Sequence, residues 1–256
     1  ATQAAVAYAA DRKQGRAMIE GGTGTIIDHA DVRRMLMEMK AETFAARAIA
    51  LDLAMSIDLG HTGAPDQAAR AAVLTPIAKS YGTEIGIKVA NLGIQVHGGM
   101  GFIEETGVAQ YLRDVRISAI YEGTNGIQAM DLVGRKMMDG GAAIHALIDA
   151  LEAEARAHDM GAPVAEMAGA LRAVTDDMLG RDLNDRFGGA VPYMMGFARV
   201  LGGLYHLRAA AAGNAARAAL ARFYIARLLP EAHGLFAQAR EGAADLYDLS
   251  PDDLAA

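Results

Sequence analysis

Residues 120–128, Ile-Tyr-Glu-Gly-Thr-Asn-Gly-Ile-Gln, combine a single carboxylate with two glycines and a set of helix-capping side chains. Glu122 stands on a turn directly before a helical segment. The spacing predicts Asn125 as its N-cap and Gln128 as the reciprocal partner. Gly123 and Gly126 let the backbone approach a bound molecule and take up angles that other residues resist. A carboxylate so placed can lose water, gain basicity and act as a general base near neutral pH. The plainer alternative is an acid favoured by the helix dipole.

Other polar constellations carry two readings each. The turn at residues 97–101, His-Gly-Gly-Met-Gly, either presents backbone N–H groups to a phosphate or ring system or simply ends a helix. His97 is a structural, hydrogen-bonded histidine or a proton carrier. Arg12-Lys13 at a helix end suits the dipole or an anionic ligand. Arg113-Asp114 is expected to form a local ion pair near the Glu122 turn. None of the seven histidines follows a Glu by three residues, and no zinc-protease helix, phosphate loop or serine elbow is present. No metal site is expected.

The elements that must position these residues read as helices. Ala, Leu and Met are abundant, aromatic residues make up 5% of 256 positions, and β-branched runs are short. An all-α fold follows: an antiparallel four-helix bundle over residues 1–140, then a second helical domain over 141–256, divided at Gly140-Gly141. Residues 1–14 read as the end of a helix. Asp28 or Asp31 is the expected cap of a long helix with an apolar stripe through Met35, Met39, Phe44, Ala48, Leu51 and Met55. Further helices are expected at about 66–96, 108–121 and 125–138. The second domain is expected to break near Gly161-Ala-Pro163, Gly188-Gly189 and Leu229-Pro230. There, residues 181–186 read as a solvated or subunit-contact stretch and residues 192–195 as core.

The net charge of −7 disfavours binding to nucleic acid or an acidic membrane surface. Cysteine is absent, which removes thiolate and disulfide chemistry. No apolar run reaches a membrane-spanning length and no signal segment is visible, so a soluble, cytoplasmic chain is expected. Ala1 falls within a helical pattern with no initiator Met, as expected of a piece of a longer polypeptide.

In this order, Arg12, residues 95–102 (Gln-Val-His-Gly-Gly-Met-Gly-Phe), Arg113-Asp114 and residues 120–124 (Ile-Tyr-Glu-Gly-Thr), the sequence resembles the C-terminal part of the acyl-CoA dehydrogenase family. The resemblance covers residues 1–138. The helical region beyond it, with residues 131–136 (Asp-Leu-Val-Gly-Arg-Lys), is similar to that of a long bacterial subgroup. The resemblance implies FAD as cofactor, an acyl-CoA thioester as substrate and Glu122 as the base that removes its α-proton. It assigns substrate contacts to Tyr121 and Gly123, and a hydrogen bond from the Glu122 N–H to the thioester oxygen. Arg12, Gln95, Gly98 and Gly99 are implied to reach the FAD of a neighbouring subunit, and Thr124 that of its own. A homo-oligomer, dimer or tetramer, follows, with electron-transfer flavoprotein as electron acceptor. The subgroup suggests 3-methylmercaptopropionyl-CoA as substrate, with short or medium straight chains equally open.

Two positions depart from the family pattern. The aromatic residue that often follows the arginine is missing in Arg12-Lys-Gln-Gly15, and Gly126 stands where a cofactor-binding glutamine is common. A non-catalytic helical dimerisation scaffold and an acyl-CoA oxidase are the competing classes. The family's N-terminal helical and middle β domains have no counterpart in these residues. The 256 residues alone are therefore expected to hold FAD weakly and to show no turnover, measured by flavin absorbance and dye-linked acyl-CoA oxidation.

Overall fold

Good helix formers broken by glycine and proline give twelve α-helices and no strand in the computed structural model, which describes residues 1–256. Helix α1 spans Thr2–Asp11, α2 Ala30–His61 and α3 Pro65–His97. The short α4 (Gly99–Phe102) leads to α5 (Val108–Arg116), and α6 covers Asn125–Val133. The remainder is α7 (Ala142–Arg156), α8 (Ala162–Leu179), α9 (Leu183–Ala211), α10 (Ala215–Arg227), α11 (Glu231–Ala239) and α12 (Pro251–Ala255).

Helices α2 and α3 form a long hairpin closed by the three residues Thr62–Ala64. Gly60 lets the two approach: a β-carbon there would stand 3.2 Å from the backbone of Ala68. Their facing apolar residues, Met39, Ala45 and Ile49 on α2 and Leu74, Ile77 and Tyr81 on α3, are fully buried. Removing such side chains from water is the main favourable contribution to folding. Helix α9 runs through the centre and packs on α2, α3 and α6 as well as on α8, α10 and α11. One continuous core of 48 residues therefore passes through both halves of the chain.

Several expectations from local sequence are corrected here. Asp28 and Asp31 do not cap α2, whose N-cap is His29 without a side-chain bond. Asp28 instead accepts from Gly24 N and Thr23 Oγ1 at 3.0 Å, closing the glycine-rich turn, while Asp31 pairs with Arg34. Gly188-Gly189 is no break. Both residues lie inside α9, where β-carbons would meet the Gly242 and Ala239 carbonyl oxygens at 2.3 and 2.2 Å. The charged stretch 181–186 is solvated at Asp182, Leu183 and Asn184, as expected, and also builds a helix junction. Asp182 caps α9, Arg186 donates to the carbonyls of Leu179 and Arg181, and Asp185 accepts from Ala243 N. Residues 192–195 carry the core as expected, with Tyr193 and Met194 buried and Pro192 inside the helix.

A buried ionic network joins the two halves. Glu42 of α2 is fully buried and accepts from Arg199 of α9 at 2.5 Å, from Tyr81 at 2.6 Å and from Lys88 at 3.0 Å. Arg199 also holds Glu231 of α11 at 2.7 Å. Burial raises the proton affinity of Glu42, but the charges of Arg199 and Lys88 and the hydrogen bonds from Arg199 and Tyr81 outweigh it. The carboxyl is held below its ordinary range. Nearby, burial lowers the pKa of His206 to about 4, so its ring is neutral at pH 7, with Nε2 3.2 Å from the carbonyl of Ala41. Replacing Arg199 with Met leaves Glu42 charged, buried and short of its closest cation. The expected loss is about 3–5 kcal/mol, read from urea unfolding, with partial recovery when Glu42 is replaced by Gln in the same chain.

Candidate active site

The turn before α6 begins where α5 tightens into a 3-10 turn at Ile117–Ala119, and its chain then bends sharply at residues 121–123. Glu122 has φ +55°, and no other non-glycine residue in the chain has a positive φ. This left-handed conformation costs an L-residue on the order of 1 kcal/mol, and such outliers concentrate at functional sites. Gly123 follows at φ +82°, a value that requires glycine.

The cap differs from the sequence expectation. Thr124, not Asn125, is the N-cap: its Oγ1 accepts from Ile127 N at 3.3 Å. Asn125 is instead taken up by α3. Its Oδ1 accepts from Lys79 at 2.8 Å and its Nδ2 donates to Glu84 at 2.7 Å, with Thr83 also in reach. Gln128 does not close a capping box either; its Nε2 donates to the carbonyl oxygen of Glu122 at 3.3 Å. The first turn of α6 is thus fastened to the middle of α3, and the chain carrying Glu122 hangs from it.

The Glu122 side chain is exposed, as are Tyr121 (54%) and Gly123, so the desolvated acid expected from the sequence is not buried by this chain itself. The backbone N–H of Glu122 makes no hydrogen bond within the chain. It is free to donate to a ligand oxygen beside the carboxylate. An open groove of about 740 Å³ lies elsewhere, between α1, α2, α3 and α5, and Glu122 does not line it.

The other expected residues gather at the far end of α3. His97 is buried, with Nδ1 2.7 Å from the carbonyl of Gly93 and its ring stacked 4.3 Å from that of Tyr8. It is therefore a structural histidine that fixes α1 against α3. Tyr8 lies one turn before Arg12, which brings Arg12 toward the turn at Gly98. Gly98 and Gly99 are exposed, with nothing within 4 Å of an added β-carbon. Gly101, by contrast, is packed against the Ile94 carbonyl at 2.3 Å from its missing β-carbon. The Arg12 guanidinium touches only Gln14, at 3.3 Å, and has no carboxylate partner, and the exposed Gln95 amide is unpaired. Free cationic and amide donors beside an open glycine turn fit the diphosphate and adenosine end of a dinucleotide. Thr124 keeps its hydroxyl proton for a ligand while its oxygen caps the helix.

The structure does not bring all five of these residues together. Asn125 is held at Thr83, and Gly98 is 15 residues further along α3, about 22 Å at the helical rise. Arg113 pairs with Glu104 at 2.9 and 3.0 Å rather than with Asp114. The Asp131 motif folds back on itself, with Asp131 bound to Arg135 at 2.6 Å. Sequence reasoning missed Lys79 and Glu84, whose contact with Asn125 spans more than forty residues and leaves no local signal.

Residues 1–138 match the acyl-CoA dehydrogenase C-terminal domain and residues 141–250 an acetyl-CoA dehydrogenase C-terminal-like domain. The chain belongs to the acyl-CoA dehydrogenase family. It is 44% identical over 215 residues to 3-methylmercaptopropionyl-CoA dehydrogenase of Ruegeria pomeroyi, covering 76% of this chain and 36% of that protein. A butyryl-CoA dehydrogenase of Syntrophomonas wolfei is 36% identical over 140 residues, covering 52% of this chain and 23% of that protein. The crystal structure of an acyl-CoA dehydrogenase complexed with FAD from Bacillus anthracis shares the fold, with TM-score 0.68 at 20% identity over 99% of this chain and 47% of that one. The chain thus spans less than half the length of these relatives.

Thr124→Ala removes the α6 cap without touching the core. It is expected to lower stability by about 1 kcal/mol, measured by thermal or urea unfolding.

Proposed function

We propose that this chain supplies the catalytic base and part of the cofactor cradle of an FAD-dependent acyl-CoA dehydrogenase, which converts an acyl-CoA thioester to its trans-2-enoyl-CoA. The observation that carries this reading is the left-handed Glu122, with its own N–H unpaired, at the head of α6 in a chain of this family. The carboxylate takes the α-proton while the adjacent N–H donates to the thioester oxygen. Negative charge developing on that oxygen is met by a donor already in place, the condition under which a carboxylate can deprotonate a carbon acid. FAD, when bound, supplies the acceptor for the hydride that leaves the β-carbon. Tyr121 and Gly123 flank the base and border the thioester. Because Glu122 is exposed here, its desolvation comes from the substrate and the surfaces that close over it in the assembled enzyme.

Arg12, Gln95, Gly98 and Gly99 hold a neighbour's FAD in this reading, and Thr124 touches the one in its own subunit. In this reading the two groups, about 22 Å apart along α3, serve different cofactors, and the enzyme is a homo-oligomer. The unpaired Arg12 supplies charge to a diphosphate without the aromatic neighbour common in the family. The chain divides near residue 140 into two domains that share one core. The 44% identity to the Ruegeria enzyme supports 3-methylmercaptopropionyl-CoA as substrate, with short straight-chain thioesters the next candidates. Electron-transfer flavoprotein is the proposed acceptor and the cytoplasm, where acyl-CoA thioesters are made and used, the proposed location. A dimerisation scaffold would have no need of a strained carboxylate at this turn.

Glu122→Gln keeps shape and removes the base. In the complete FAD-loaded enzyme it is expected to abolish dye-linked oxidation of acyl-CoA, by at least about a thousandfold. Retained activity would remove Glu122 from the reaction, and stoichiometric peroxide from the parent enzyme would make it an oxidase.

A further inference from the structure

The left-handed turn at Glu122 has few restraints. The N–H groups of Glu122 and Gly123 are unpaired, and the Glu122 carbonyl has one partner within the chain, the Gln128 carboxamide at 3.3 Å. The same carboxamide nitrogen lies against Gly123, where an added β-carbon would stand 3.1 Å from it. Gln128 is half-buried on the second turn of α6. The first turn of that helix is fastened to α3 through the Asn125 side chain, which accepts from Lys79 at 2.8 Å and donates to Glu84 at 2.7 Å. A rigid helix thus reaches back, through one amide, to the peptide that immediately follows the base.

We propose that Gln128 is a positioning residue for Glu122, its amide N–H holding the Glu122 carbonyl so that the carboxylate and the unpaired N–H of the same residue face the thioester together. This rests on the reading of Glu122 as the base. The geometry explains the arrangement. The carbonyl of residue 122 belongs to the peptide between 122 and 123, and anchoring it fixes ψ of Glu122 and φ of Gly123. Without that anchor, ordinary L-residue sterics act against the positive φ at Glu122, and no other hydrogen bond within the chain holds the turn at residues 122–123. The turn then relaxes about ψ of Glu122 and φ of Gly123, which turns the carboxylate and the N–H of residue 122 together away from the thioester. Glycine at 123 serves the same end, since any side chain there would push against the amide. Gln128 touches no substrate in this arrangement; it acts only through the backbone of Glu122.

The test uses the complete FAD-loaded enzyme with 3-methylmercaptopropionyl-CoA and butyryl-CoA, each carrying protium or deuterium at the α-carbon. Gln128→Met keeps the length and removes the donor; Gln128→Glu keeps the shape and removes the donor when ionised. Both are expected to lower kcat per bound flavin about tenfold to a hundredfold, the scale of a misplacement near 1 Å. KM is expected to stay within about twofold, and the α-deuterium isotope effect on kcat to rise as proton removal becomes slower than later steps. Flavin content and Tm are expected to match the parent, which separates misplacement from loss of fold. Parent-like kcat and isotope effect in both variants, with Glu122→Gln inactive, would overturn the role of Gln128 and leave the base intact. An active Glu122→Gln would overturn both. A fall in activity matched by loss of flavin or of Tm would also overturn the positioning role.

Discussion

The ion pair between Glu42 and Arg199 is the contact on which the architecture turns. It joins residues 157 positions apart, both nearly or fully excluded from water, on α2 and α9. An isolated carboxylate at such depth is strongly disfavoured, and so is an isolated guanidinium. Each is tolerable because Tyr81, Lys88 and Glu231 supply further hydrogen bonds, which leave Arg199 Nε as the one buried atom of the pair without a partner. The consequence reaches beyond local stability. Separating α9 from the α2–α3 hairpin would strand charge in an apolar interior, so the C-terminal helices are bound to the first half by electrostatics as well as by the shared core. A second link, from Asp52 of α2 to both Arg70 of α3 and Tyr205 of α9, acts in the same direction.

That rigidity matters because α3 is the bar on which both ends of the proposed site hang. Its middle, at Lys79, Thr83 and Glu84, holds the head of α6 and so the Glu122 turn. Its end, at Gly93 and His97, holds α1 and so Arg12. A straight helix fixes the distance between these points to within a small fraction of its length, which loops could not do. The residues proposed to meet substrate and cofactor sit on short, exposed turns. This is the usual division between a scaffold that stays still and segments that meet the ligand.

The helices were legible because they obey local rules. The three-and-four spacing from Met35 onward marks α2, although Leu51 and Met55 at the end of the expected stripe are exposed; Gly63 and Pro65 mark its C-terminal end, and α3 stops within one residue of the expected position. The Glu122 turn was legible as well, since glycine, threonine and asparagine around one acid leave few alternatives. The errors came where two residues were equally fit for one task. Thr124 and Asn125 can both cap α6, and the choice fell to Thr124 because Lys79 and Glu84 engage Asn125 from another helix. Gly188-Gly189 carries the same signal whether glycine ends a helix or lets another backbone touch it. Only the presence of α11 and the turn after it, against α9, decides between them.

By itself, the sequence determined an all-helical chain, the positions of its long helices and the turn that carries Glu122. These depend on residues within a few turns of one another, where spacing and capping act directly. Tertiary structure alone decided that both halves share one core, that Arg199 neutralises Glu42, and that the glycine turn and the Glu122 turn stand at separate points along α3. It also left the Glu122 carboxylate in water on this chain. Burial and pairing are sums over neighbours distant in sequence, and no local pattern records which of them arrive.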